Sequence, residues 1–518
     1  MRGWGNDPAL CSRPVAHSMT KLSWTVLKNA TANVVRGGAG AVVAFVLPAV
    51  LTRVLDRDRF AAWALMLQIA AIVNFLDFGI QTAVARFVAH AMERGDDAER
   101  DGYISTAFYL LSAAGVLALL IVSSLAWLVP ALYKQAPLHL LGELRTGLIV
   151  LAAFFAAALP TSAFTGVFVG LHKNEYPALG IGGSRLLGAA LVVLAVHHTH
   201  SLVVMAALVG SMNLAGGLFQ FALARKMLPT MHISIAAVSK RYLSTMTKFC
   251  AGLSVWTFGM FLVGGLDLII VGHFRFSSMA YYSVASNMVL IIAGLGSAAT
   301  TALLAPAAVM HARSEYTRLG AMVLRATRYT TVFLVIISFP IYVIGTRILT
   351  VWVGAAYAHA SLPILEVLLV ANVIRMVGAP YSTALVGAGE HVRVVFSPLF
   401  EGFTNLAVSL IAGYYLGPIG VAIGTLVGAV GGVGINVVYN MPRIPEISVK
   451  RSTYLLQGIT QPFFELVPAL TGISIGASGL LHGLVLRWLT AVCGMAVTAV
   501  LLAPGMPKTF FTRWGRQP

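Results

Sequence analysis

Charge is scarce in this sequence. Only 10% of its 518 residues are Asp, Glu, Lys or Arg, against about 25% in a soluble domain, and 58% are hydrophobic with a mean hydropathy of +0.85. That excludes a soluble globular fold. Cysteine is almost absent: Cys11, Cys250 and Cys493 lie far apart, which leaves no disulfide framework and no metal knuckle. There is no G-x-x-x-x-G-K-[ST] phosphate loop and no H-E-x-x-H zinc motif, so ATP-driven pumping and zinc chemistry have no basis in this chain. No cofactor or metal is expected. The two-residue alternation of a porin barrel is missing. Residues 1–23 hold no uninterrupted apolar core ahead of a small-residue cleavage site, so no secretory signal is read there.

The chain is filled instead by apolar blocks of roughly 20 to 28 residues, long enough as helices to cross about 30 Å of hydrocarbon. They fall near 24–51, 60–87, 103–129, 145–170, 176–197, 201–224, 246–272, 279–306, 323–348, 361–387, 394–415, 417–440, 454–476 and 482–503. The expectation is an all-α integral membrane protein of about fourteen transmembrane helices. The formal net charge of +17 does not call for nucleic acid here, because the cations sort by connector. Arg2, Arg13, Lys21 and Lys28, the segment ARFVAHAMERGDDAERDG, Lys173, the stretch Arg225 to Arg241, HARSEYTRLG, Arg443, Lys450, Arg451 and the C-terminal tail form one set. The alternate connectors are poor in cations, so the positive-inside rule places both termini in the cytoplasm. Trp63, Trp127 and Trp352 are expected at the outer membrane boundary and Trp24 and Trp514 at the inner one.

LDRDRFAAWAL (Leu55 to Leu65) is echoed by FRFSSMAYYSV (Phe274 to Val284) at an offset of 219 residues. An internal repeat of this kind divides the chain into a cytoplasmic tail (1–23), a first six-helix bundle (24–226), a linker (227–245), a second six-helix bundle (246–440), a C-terminal helix pair (441–503) and a tail (504–518). In transporters built from repeats the substrate path runs between the halves.

A charge at the bilayer centre costs about 2.5–3.5 kcal/mol, so such residues face a wet cavity or a partner. Seven stand out: Arg36, Arg185 and Arg375 against Asp77, Asp267, Glu366 and Glu401. Counted from the block ends, Asp267 and Glu366 lie toward the outer face, Asp77 and Glu401 toward the cytoplasm, and the arginines between. Asp77 and Arg86 sit nine residues apart, about 13.5 Å along the axis and about 900° around it, so they point to opposite faces. The same spacing forbids a Glu366–Arg375 pair. Partners therefore come from other helices or from a ligand, and a guanidinium fork suits phosphate oxygens. Interhelical salt bridges are the alternative. For Asp77, followed by Gly79, capping an interrupted helix and coupling to an ion are both open.

The stretch NFLDFGIQTAVARFVAH, preceded by LTRVLDRDRFAAWAL, resembles the second-span signature of the polysaccharide flippase family in the multidrug/oligosaccharidyl-lipid/polysaccharide exporter superfamily. The matching residues are Leu51, Arg53, Leu55, Phe60, Trp63, Leu76, Asp77, Gly79, Arg86, Val88 and Ala89; Asp56 stands where that family often has glycine. The resemblance implies a V-shaped pair of bundles in the bacterial inner membrane. Such a pair moves an undecaprenyl-diphosphate-linked oligosaccharide outward for exopolysaccharide or O-antigen synthesis. Arg36, Arg185 and Arg375 would then hold the diphosphate. Trp256 would stack on a sugar ring or simply pack. Asp77, Asp267, Glu366 and Glu401 would couple ions or shape helices, and a polysaccharide polymerase or co-polymerase would be a partner alongside membrane lipids. Three rivals remain: a lipid II flippase, a drug/cation antiporter of the same fold, which would want an acidic cavity, and a membrane lipid-sugar glycosyltransferase or polymerase, for which the external loops are short.

Overall fold

The computed structural model describes residues 37–390, 394–478 and 484–502, and within these the chain is helical. The described residues form fifteen helices, ten of them long and apolar enough to cross a membrane. In chain order they are α1 (Gly37–Val54), α2 (Arg57–Phe75), α3 (Ile80–Arg94), α4 (Asp97–Leu132), α5 (Leu138–Gly170), α6 (Glu175–Thr199), α7 (Leu202–Met227), α8 (Lys240–Phe274), α9 (Phe276–Ala312), α10 (Tyr316–Val353), α11 (Ala355–Gly387), α12 (Phe396–Leu416), α13 (Pro418–Arg443), α14 (Gln461–Ala477) and α15 (Leu484–Leu502).

Local chemistry sets the ends. Asp96 caps α4 by accepting the Glu99 N–H at 2.8 Å, and α3 stops at Gly95, whose φ of 70° ends the helix at no steric cost. Gly417, at φ 64°, turns the chain into α13, which opens with Pro418. Leu138 is 86% exposed and Ile411 65%; large apolar side chains left outward are what lipid-facing helices require.

Two groups of helices pack within themselves. In the first, α5 lies on α2, α4 and α7, and α6 lies on α7; in the second, α12 pairs with α13 and α8, and α11 with α9, α10 and α13. The pair α14 and α15 leans on α10. That contact carries a part-buried ion pair: Arg328 Nη2 donates to both oxygens of Glu465, at 3.0 and 2.9 Å, and Gln461 Nε2 adds a third bond at 2.9 Å.

The tryptophans divide between surface and core. Trp127 is 65% exposed with Arg145 over its ring at 3.9 Å, but Trp63 and Trp352 are buried. Both turn inward because each fills space between the two groups. Trp24 and Trp514 lie outside the described residues.

Candidate functional site

At one end of the molecule the two groups of helices touch. Trp352 Nε1 donates to the Phe45 carbonyl at 2.7 Å and its ring stacks on Phe45 at 5.4 Å. Beside it, Arg53 Nη2 donates to the Val351 carbonyl at 2.9 Å. Arg57 lies beside the Tyr281 side chain, Tyr281 and Phe60 each meet the Tyr357 ring edge-on, and His273 Nδ1 bonds the Leu132 carbonyl at 2.8 Å. These residues flank the cation-poor connectors. The two echoed segments therefore face each other, with Trp63 and Tyr282 in corresponding, buried positions.

Beyond that seal lies a crevice of about 530 Å³ between α1 and α2 on one wall and α9 on the other. Its lining is apolar except for Arg185, Ser283 and Asn287 and the indole of Trp63. Arg185 projects from α6 into it, with Nη1 about 3.5 Å from where a Cβ on Gly40 would stand. No carboxylate lines this crevice among the described residues.

Arg185 also lines a polar cavity of about 310 Å³ inside the first group, shared with Asp77, Gln81, Ser162, Asn213 and Gln220. Asp77 stands where the second span breaks. The chain leaves the helix over 76–79, with φ 48° at Phe78 and 78° at Gly79, and the Asp77 carboxylate lies against the N–H groups of Gly79 and Gln81. Those are the first donors of α3, unpaired within any helix, while Asp77 Oδ1 is buried with no hydrogen-bond partner. Only glycine suits position 79: its φ is left-handed, and a Cβ there would run into Leu253 of α8. Downstream, Arg86 packs its guanidinium over Phe249 of α8 at 5.2 Å.

Among the described residues, Arg375, Asp267, Glu366, Glu401 and Trp256 line neither of these two spaces. Arg375 Nε donates to Glu401 Oε1 at 2.6 Å, a pair between α11 and α12 inside the second group. Asp267 is buried and accepts from the Tyr282 hydroxyl at 3.2 Å, Thr425 Oγ1 at 3.0 Å and Asn405 Nδ2 at 3.3 Å, tying α8, α9, α12 and α13 together. Glu366 is half-buried on α11 and makes no ion pair among the described residues. Trp256 packs against the small core around Ala307, Val323 and Tyr381, away from the crevice lining. Arg36 lies outside the described residues. Arg375 thus stands apart from Arg185, held by a carboxylate on a neighbouring helix. Sequence reasoning missed Glu465 and set neither Arg328 nor Asn287 among the candidate site residues.

A second cavity, about 540 Å³, runs between α10, α11, α13 and α14 and is lined by residues such as Phe339, Leu369, Val373 and Phe464. Its walls are almost wholly apolar, so in a bilayer it suits a lipid chain and offers no polar recognition. The crevice is the better candidate.

The sequence pattern of the polysaccharide biosynthesis proteins matches residues 26–311, more than half of the chain. The chain belongs to that family. No curated protein matches it in sequence. Among solved structures, the lipid II flippase MurJ in an inward closed conformation is similar at a TM-score of 0.67 and 12% identity, covering 92% of this chain and 98% of that one. A multidrug resistance MATE family transporter of the MOP superfamily, inward-facing, matches at 0.65 and 14%, covering 79% and 95%; an outward-facing MATE structure matches at 0.60 and 14%, covering 82% and 96%. This member of the polysaccharide biosynthesis family therefore has the MOP-superfamily fold. It is a multi-pass integral membrane protein.

Proposed function

We propose that this protein carries polyprenyl-diphosphate-linked oligosaccharide units across the bacterial inner membrane, by alternating access around the crevice that Arg185 enters. In this reading fourteen spans form two six-helix bundles, 24–226 and 246–440, with a C-terminal pair. The cation-rich connectors and both termini lie in the cytoplasm. The end sealed by Trp352, Arg53 and Tyr357 is then the outer one, and the described state is the one that accepts a lipid made on the inner leaflet for exopolysaccharide or O-antigen synthesis.

The observation that carries the proposal is a guanidinium that enters a crevice between the two groups of helices. A diphosphate is an anion that needs such a donor and a wet passage, while the polyprenyl tail remains in lipid. The same lining disfavours a cationic drug, which would want an acidic wall.

The test is complementation. Cells lacking the protein are expected to retain the complete lipid-linked unit on the inner leaflet, and Arg185→Gln is expected to restore export at a tenth of the wild-type rate or less. A charge-assisted hydrogen bond of about 1.5–3 kcal/mol underlies that factor. Full complementation by Arg185→Gln would defeat the proposal, as would accumulation of only truncated glycans in the deletion strain.

A further inference from the structure

Both walls of the crevice contribute polar groups. Opposite Arg185, α9 presents Ser283, Asn287, Leu290 and Gly294, spaced four, three and four residues apart and therefore on one helical face. Asn287 Nδ2 donates to the Ser283 carbonyl at 2.8 Å and to Ser283 Oγ at 3.3 Å. The carbonyl can only accept, so the nitrogen of the amide is the atom turned to the helix. That leaves Asn287 Oδ1 as an acceptor on a half-buried residue lining the crevice. Beside it there is room, since a Cβ built on Gly294 meets nothing within 4 Å.

Building on the transport reading proposed for this crevice, we infer that Asn287 recognises the sugar adjoining the diphosphate: Oδ1 accepts a hydrogen bond from a sugar hydroxyl while Arg185, on the facing wall, takes a phosphate oxygen. The chemistry divides cleanly between the two. A guanidinium has donors only and suits the anion; a hydroxyl-bearing ring needs an acceptor, and Asn287 supplies the side-chain amide acceptor of that lining. A glycosylated headgroup then engages both groups of helices at once. A bare polyprenyl diphosphate engages only the first and leaves the Asn287 acceptor unfilled, and a polar group left unpaired is how a site rejects an analogue lacking the hydroxyl. Asn287 thereby biases the transporter toward loaded carrier lipid over empty carrier lipid.

Affinity measurements on the purified full chain in detergent test this, with two probes sharing one polyprenyl chain: the diphosphate bearing a hexose, and the sugar-free diphosphate. The wild type is expected to prefer the hexose probe about fivefold, the worth of one net hydrogen bond. Asn287→Leu should reduce the preference to about one while holding affinity for the sugar-free probe within about twofold, which also reports that the variant is folded. Arg185→Gln should weaken both probes together. A preference that survives Asn287→Leu overturns the inference, and so does an equal loss for both probes, which would mark a packing role. Failure of the wild type to bind either probe would overturn the transport reading and this inference with it.

Discussion

The Arg375–Glu401 pair tests whether a membrane-depth guanidinium belongs to the scaffold or to the substrate. The two side chains are 27% and 13% exposed, with Nε and Oε1 2.6 Å apart, Arg375 Nη2 is buried without a partner, and Glu401 packs against α13 at Gly432. Deleting one member of a buried pair costs about 3–5 kcal/mol because the other charge is stranded. Arg375 retains more than a quarter of its exposure, and its stem can lead the guanidinium toward water, so Glu401→Leu is expected to cost about 2 kcal/mol. Replacing both, as Arg375→Met with Glu401→Leu, strands nothing and should fall within about 1 kcal/mol of wild type. The coupling in a double-mutant cycle is then at least about 1 kcal/mol.

Denaturant unfolding of the four proteins in detergent micelles measures the cycle, and a transport assay run beside it separates the roles. The double variant should transport within about twofold of wild type, because Arg375 is already paired. Additive losses in stability, or a stable double variant that no longer transports, would refute the reasoning and return Arg375 to the substrate path.

Two further predictions concern the seal and the helix break. Trp352→Ala with Arg53→Ala removes two hydrogen bonds and a stacked ring, together about 3 kcal/mol, and should shift the conformational equilibrium about a hundredfold toward separation at that end; spin labels at Asp56 and Ala356 should gain a longer-distance population, and an unchanged distribution would refute the assignment of this end as the gate. Asp77→Asn keeps an acceptor for the N–H groups of Gly79 and Gln81, so transport within about twofold of wild type is expected, whereas Asp77→Leu loses the cap at about 0.5–2 kcal/mol. Loss of transport in Asp77→Asn, measured in the same assay, would assign the carboxylate to ion coupling instead.

The helices are legible in the sequence because length and apolarity are the signals a bilayer imposes. Their ends are less so. The apolar block at 103–129 lies within a helix that starts at Asp97, since a helix continues into water as long as caps such as Asp96 serve its free donors. The interruption after Leu76 is written in Asp77 and Gly79, where a carboxylate precedes the one residue that takes a left-handed φ cheaply. Charge pairing is hidden for a different reason. Helical spacing decides which residues on one helix can meet, as for Glu366 and Arg375 on α11, but for Asp77 and Arg86 the break over 76–79 removes the single helix on which that count rests. It says nothing about residues 26 or 137 positions apart that neighbouring helices bring together, as at Arg375–Glu401 and Arg328–Glu465.

The same limit explains why the arginines divide as they do. A buried charge is tolerated in lipid only when paired or wetted, and hydropathy counts the cost without revealing which remedy the fold applies. Arg375 has a carboxylate at hydrogen-bonding distance, and its position inside a helix group makes it part of the packing. Arg185 borders two polar or accessible spaces, one toward Asp77 and one between the walls. In the alternating-access reading proposed for this crevice, a guanidinium at its boundary meets different surroundings in each state. A ligand anion can stabilise one state over the other only through such a group, because differential contact is the only means by which binding moves a conformational equilibrium.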